Sequence, residues 1–241
     1  MAYLDDHPPA RRQFRARLAK PSGLIVVHTA ESILDSMGPD TGAESVADFI
    51  RRRSDPGSYH RLADSDSVVD LVRFSQAAYG DGTGSNEFAI HVSFALKATG
   101  WPGLTPEKRL AFIKQGARAV KEAMDWLEAE YGIVVPLRRV TKAQSDARQP
   151  GFISHGERDP GRRSDPGAAF PWEMLFDEVE ALMGPSVKEV KRSEIRERLD
   201  VAVAKTKGAL LRTDGPARPK VRAKLKKALQ NLRKARRANR K

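Results

Sequence analysis

The sequence predicts an α/β (α+β) layered domain followed by a basic helical C-terminal extension. Three observations carry that expectation. Short apolar runs bounded by turn residues alternate with stretches of helical periodicity across residues 21–184. One of those stretches is long and carries a capping signal at each end. Charge then divides the chain: residues 186–241 hold 20 Lys/Arg against 5 Asp/Glu, a net +15, whereas residues 1–185 hold 23 against 26, a net −3.

Residues 1–20 read as an N-terminal arm that includes His7. Residues 23–28, Gly-Leu-Ile-Val-Val-His, form a short apolar run after Pro21-Ser22, the pattern of a buried strand, and it ends on a histidine. Over 43–53, Val46, Phe49 and Ile50 share a helical face before Asp55-Pro56-Gly57 stops the helix. Residues 58–63 and 68–72 flank Asp64-Ser65-Asp66-Ser67 and read as a hairpin, with both aspartates in turn chemistry. Residues 88–96, dense in Ile, Val and Phe, are a further strand. Thr105-Pro106-Glu107 supplies an N-cap, a first-turn proline and an acidic first turn. Leu110, Ile113, Ala117, Val120, Met124 and Leu127 then recur at spacings of three and four, and Gly132 closes the helix. Residues 151–155 are another short strand ending in histidine. Over 172–183, Trp172, Leu175, Phe176 and Val179 share a face. Beyond the domain, 187–211 and 221–238 read as two helices broken at Asp214-Gly215-Pro216, the second with a thin stripe of Val221, Leu225, Ala228, Leu232 and Ala235.

Composition narrows the chemistry. Cysteine is absent, which excludes disulfides, thiol nucleophiles and thiolate metal sites, so any metal must be held by His, Asp or Glu. There is no apolar run of about 18 residues to span a membrane. The N-terminus lacks the basic patch and apolar core of a signal peptide, which points to synthesis in the cytoplasm and another route to any extracellular target. From Gly215 onward come 12 basic residues and no acidic ones, an electrostatic anchor for a polyanion.

The histidines are His7, His28, His60, His91 and His155. His28 and His155 stand at strand ends, where rigid scaffolds present functional groups. After His155 runs a loop of turn formers and charges, Gly156 to Gly167. Two histidines and one carboxylate with an open fourth position make a catalytic zinc set. The same pattern also suits structural histidines satisfied at each strand end, and spacing alone does not separate the two.

Ile25-Val26-Val27-His28-Thr29, Ser58-Tyr59-His60-Arg61-Leu62 and His155-Gly156-Glu157-Arg158-Asp159-Pro160-Gly161-Arg162-Arg163-Ser164-Asp165-Pro166-Gly167 occur in an order that resembles one family. It is the zinc-dependent N-acetylmuramoyl-L-alanine amidases related to phage lysozyme-type amidases and peptidoglycan-recognition proteins, matched over roughly residues 20–182. The resemblance implies a mixed β-sheet flanked by helices. It implies Zn2+ held by His28, His155 and Asp165, with Tyr59 and Arg163 as catalytic residues, Arg163 standing where the family usually has lysine. Asn86 and Tyr79 are the implied substrate-binding positions. It further implies hydrolysis of the lactyl–L-alanine amide in peptidoglycan. Some positions depart from the pattern: Ser93 replaces a glutamate common in bacterial members, Ala78-Tyr79-Gly80 replaces a frequent tryptophan-histidine pair, and His91 replaces a usual glycine. His91 reads as a solvent-facing strand residue. His60 reads as packed or hydrogen-bonded beside Tyr59 rather than as a ligand, and Trp101, Trp126 and Trp172 as core or rim residues.

The expected partners are peptidoglycan and, through the tail, an anionic wall polymer or lipid. The tail lacks interleaved aromatics and any reader motif, so specific nucleic-acid binding is not expected, and the chain is expected to be monomeric. The missing signal peptide and the basic extension suggest a phage endolysin, stored in the host cytoplasm until release. The alternatives are a cytoplasmic muropeptide-recycling amidase and a non-catalytic recognition module.

Overall fold

A computed structural model describes residues 1–31, 41–184, 187–211 and 219–238. The chain separates into two compact units, residues 1–182 and 183–241. In order, the elements are α1 (Tyr3–Asp6), β1 (Phe14–Ala16), β2 (Leu24–Thr29), α2 (Ala43–Arg52), β3 (Arg61–Ala63), β4 (Val68–Asp70), β5 (Gln76–Ala78) and β6 (Ala89–Phe94). They continue with α3 (Pro106–Tyr131), α4 (Lys142–Asp146), β7 (Gly151–Ser154), α5 (His155–Arg158), α6 (Trp172–Met183), α7 (Val187–Leu211) and α8 (Pro219–Ala238).

The expected mixed sheet flanked by helices is present. Five strands lie in the order β4-β3-β6-β2-β7, with β3, β6, β2 and β7 parallel and β4 an antiparallel edge. Parallel strands need cover on both faces, and period-2 alternation divides the residues between the two sides. Ile25 and Val27 of β2 and Ile90, Val92 and Phe94 of β6 point into the main core, where Ile113, Ala117, Val120 and Leu127 of α3 and Leu175 and Val179 of α6 meet them. Gly116 sits within α3 because a Cβ there would collide with the Phe94 ring. The helix gives up about 0.5–1 kcal/mol of propensity relative to alanine and gains this close approach. Thr105 caps α3 through Lys108 N, and Gly132 ends it in the left-handed region at φ 65°.

The opposite face is mixed. Near β3 and β4 it is apolar: Leu62, Val69 and Leu71 pack against Val46, Ala47 and Ile50 of α2. Toward β2 and β6 it carries His28, His91 and Ser93, all fully buried. The α2 stripe differs from expectation at Phe49, which is 53% exposed, its ring lying beneath the Arg53 guanidinium, while Ala43 and Ala47 complete the buried face. Asp64 does turn chemistry as expected, accepting from Asp66 N and Ser67 N, and its second oxygen takes Ala43 N at the start of α2.

Residues 1–20 are not a free arm. Leu4 is buried in the α2 cluster, and Tyr3 Oη donates to Asp48 at 2.6 Å. β1 pairs with β5, and Arg17 donates to the carbonyls of Phe74, Glu87 and Ala89. Buried Gln13 binds the carbonyl of Asp55 and the N–H of Gly57, and its own carbonyl accepts from Ser58, so this segment braces the loop that carries Tyr59. Such reach explains the missed expectation: the partners lie roughly 40–70 residues away along the chain.

In the second unit α7 and α8 pack together. Val203 and Leu229 are buried, whereas Ala228 and Ala235 of the expected stripe are exposed. The expected break at 214–216 and the side chains of Val221 and Leu225 lie outside the described residues. No helix among the described residues is long and apolar enough to cross a membrane.

Candidate metal centre

His28 is the fifth residue of β2, and parallel pairing with β7 brings the start of α5 beside it. Ser154 and Glu157 form a capping box around α5, which sets His155 on the first helical residue. Asp165 returns to the same place because its carbonyl accepts from Gly156 N at 2.7 Å. The result is a triangle of donor atoms. His28 Nδ1 and His155 Nδ1 are 3.1 Å apart, and Asp165 Oδ2 lies 3.2 Å from the second and 3.3 Å from the first. All three residues are buried, and together they could hold a metal ion.

The hydrogen bonds behind the triangle decide where the protons sit. His155 Nε2 faces the carbonyl of Asp81 at 3.2 Å, so it must donate, leaving the Nδ1 lone pair on the triangle. His28 Nε2 faces His91 Nδ1 at 3.0 Å. If His28 Nε2 likewise donates, to His91, two imidazole lone pairs and a carboxylate oxygen converge, an arrangement that suits a cation. Four-coordinate zinc with arms of ~2.0–2.1 Å has donor–donor edges of ~3.3–3.4 Å, so the triangle is close to one zinc face. The donor set fits the ion.

Electrostatics favour a neutral His28 and an ionised Asp165. Burial pushes His28 below its ordinary value, with the Asp165 carboxylate opposing. Burial works against ionised Asp165, but the hydrogen bonds and charge of His155 and His28 outweigh it and hold the carboxyl well below the usual carboxylate range. Burial, followed by the nearby Asp165 charge, pushes the Tyr59 phenol up to about 12, so it is a proton donor and not a phenolate at neutral pH. The Tyr59 ring lies 5.1 Å from that of His28.

The centre opens on a cleft of about 420 Å³ lined by Tyr59, Tyr79, Asn86, His155, Arg163 and Asp165. Arg53, paired with Asp55, and Arg162, paired with Asp159, also line it, together with Asp81 and the exposed carboxylate of Glu31. Glu31 is held at a left-handed φ of 52°, with one oxygen accepting from Thr29 Oγ1 and Ala98 N. Asn86 lines the cleft while its carbonyl oxygen holds the N–H groups of Gly80 and Asp81, so it also shapes the loop carrying Tyr79. Trp101 is a core residue, and Trp126 and Trp172 pack against the core from its margin.

His91 corrects its sequence reading. It is fully buried, stacked 5.7 Å from His60 at 7° and in contact with His28. Alternation placed it on the polar face, but residues far along the chain cover that face. His60 hydrogen-bonds to Gln76 O and to the backbone N–H of His91, away from the triangle.

Burial pushes His28 below its ordinary value and His60 and His91 well below it. A depressed histidine contributes stability that is present above the unfolded value near 6.5 and is lost as pH falls. The melting temperature of the metal-free protein is therefore expected to fall between about pH 7.5 and 5.5. A flat profile across that window would contradict the burial.

The fold and donor set define a mixed α/β domain with a buried His-His-Asp group that could hold a metal ion beside a charged cleft. No family model matches the chain. No curated protein matches it either. Nine chains of known structure do. One is the catalytic domain of XlyA, with 17% identity over 71% of this chain and 95% of that one, at a TM-score of 0.46. Another is the Staphylococcus aureus hydrolase AmiA in complex with its ligand, with 13% identity over 74% and 83%, at 0.49. A third is PlyL, with 16% identity over 70% and 89%, at 0.46. Likenesses this distant leave the functional reading to the residues of the site.

Proposed function

We propose that the chain is a zinc-dependent N-acetylmuramoyl-L-alanine amidase that hydrolyses the lactyl–L-alanine amide of peptidoglycan, in the role of a phage endolysin. The observation that carries this reading is the buried triangle of His28 Nδ1, His155 Nδ1 and Asp165 Oδ2 at a cleft that also holds Tyr59 and Arg163. Zinc bound there supplies Lewis acidity toward a carbonyl and lowers the pKa of a bound water toward about 7. Tyr59, kept protonated by burial, donates a hydrogen bond to the oxygen on which charge develops. Arg163 adds positive charge at the same cleft. Glu31 is the exposed cleft carboxylate able to take a proton from water and pass it to the leaving amine. The C–N bond breaks, hydroxyl joins the acyl carbon, and the amine leaves with a proton. A non-catalytic recognition module is less well supported, because Asp165 completes the donor set.

The test is digestion of purified sacculi with mass analysis of the products. Free stem peptides beginning with L-alanine, and glycan strands without new reducing ends, are expected. New reducing ends, or peptides cut internally, would place the activity elsewhere.

The second unit is proposed as an anchor for an anionic wall polymer or lipid. Its charge of +15, set against −3 for the body, supports attraction rather than chemistry. Full-length protein should pellet with cell walls at low salt and release as ionic strength rises, since exposed charges are screened over about 10 Å at 0.1 M. Residues 1–185 should pellet poorly at every salt concentration yet cleave a small soluble muropeptide nearly as well. Equal pelleting of both would remove the anchor.

A further inference from the structure

His155 and His28 meet the triangle through the same ring atom, yet they are held from behind by different means. Behind His155 stands a backbone carbonyl, that of Asp81, which can only accept. Behind His28 stands another imidazole, whose Nδ1 can accept only if its own proton is on Nε2. We propose that His91 is a positioning residue of the metal centre: its Nδ1 accepts the Nε2 proton of His28 and so fixes the tautomer that presents the His28 Nδ1 lone pair to the ion. The inference rests on the metal reading of the triangle and adds to it a residue outside the donor set.

The surroundings of His91 are arranged around that one contact. Its ring is fully buried and stacks on His60, whose Nδ1 accepts the His91 backbone N–H at 2.9 Å. The His91 carbonyl in turn accepts from His60 N at 2.9 Å, so strand and ring are clamped together. Gly80 clears the space beside the ring, since a Cβ there would collide with His91 Cγ and Nδ1. Among the described residues Nε2 of His91 has no hydrogen-bond partner. A ring chosen for packing alone would be phenylalanine or leucine, with no polar atom left over. In the proposed tautomer this Nε2 carries a buried N–H without a partner, a cost that the contact of Nδ1 with His28 must offset. Outer partners of this kind set ligand tautomer and orientation, and their loss typically weakens metal binding by about 10–100-fold.

The test measures zinc affinity of the full chain by competition with a chelator. His91→Phe keeps the ring volume and the stack but removes the acceptor. It should weaken zinc binding by about 10–100-fold with the melting temperature of the metal-free protein unchanged or higher. His91→Gln, which can return an acceptor oxygen, should recover part of the loss. Gly80→Ala should weaken zinc binding with every donor atom still present. Long-range ¹H–¹⁵N spectra of the wild type, which need no variant to fold, should show both His28 and His91 protonated on Nε2. A proton on His91 Nδ1, or unchanged zinc affinity in His91→Phe, overturns the proposal. A wild type that binds no zinc defeats the metal reading itself, a separate result.

Discussion

His155→Ala is expected to empty the centre and bring amide hydrolysis down to the uncatalysed background. The side chain is buried, and its Nδ1 sits 3.1 Å and 3.2 Å from the other two donor atoms, so nothing nearby can take its place. Two protein donors hold zinc far less well than three, and without the ion Glu31 is left with no Lewis acid to polarise the amide carbonyl. The metal-free variant should also melt below the metal-free wild type, because His155 hydrogen-bonds to Asp165 and to the Asp81 carbonyl, and its removal leaves both short of a partner. Zinc should raise the melting temperature of the wild type, because a ligand that binds only the folded state stabilises it by mass action, and should leave the variant unmoved. Asp165→Ala should behave in the same way. Metal analysis, calorimetry with and without zinc, and chelator treatment check all of this. A wild type that purifies without metal and keeps its activity in chelator would defeat the mechanism.

Features written in local patterns were readable from the sequence. The α3 stripe, its Thr105 cap and its Gly132 end lie within one stretch, and β2 and β6 announce themselves as apolar runs. The elements that carry the two histidines were legible because β2 and β7 each run into one, although the His155 ring is aimed by the capping turn of α5 rather than by the strand. What escaped depends on distant partners. Gln13 and Arg17 look like arm residues until the carbonyls they bind are known. His91 obeys the alternation of β6, but alternation does not say what covers a face. Here His60, Gly80 and His28 close over it. Glu31 carried no signal, since its value lies in a strained backbone and a cleft formed by residues 53–165. The Asp81 carbonyl behind His155 could not be found from side-chain types at all.

Tyr59→Phe and Arg163→Ala are each expected to lower turnover by roughly 10²–10³-fold with zinc content unchanged. Both side chains line the cleft, and neither belongs to the donor triangle, so the loss should fall on kcat rather than on metal affinity. Tyr59 loses only its hydroxyl in this exchange, and the ring keeps its contact with His28, so folding should be spared. Because burial holds the phenol near 12, the wild-type rate should show no titration of Tyr59 between about pH 6 and 9. Glu31→Gln should cost about 10²-fold by removing the proton acceptor while leaving the hydrogen bonds from Thr29 and Ala98 an oxygen to reach. Ser93→Ala is the contrast: its hydroxyl is fully buried in the sheet, and a serine hydroxyl is too weak a base to take the proton. That variant should keep most of its activity. A collapse of turnover in Ser93→Ala with the fold intact, alongside a nearly normal Tyr59→Phe, would move the chemistry from the cleft-lining tyrosine to the floor of the sheet.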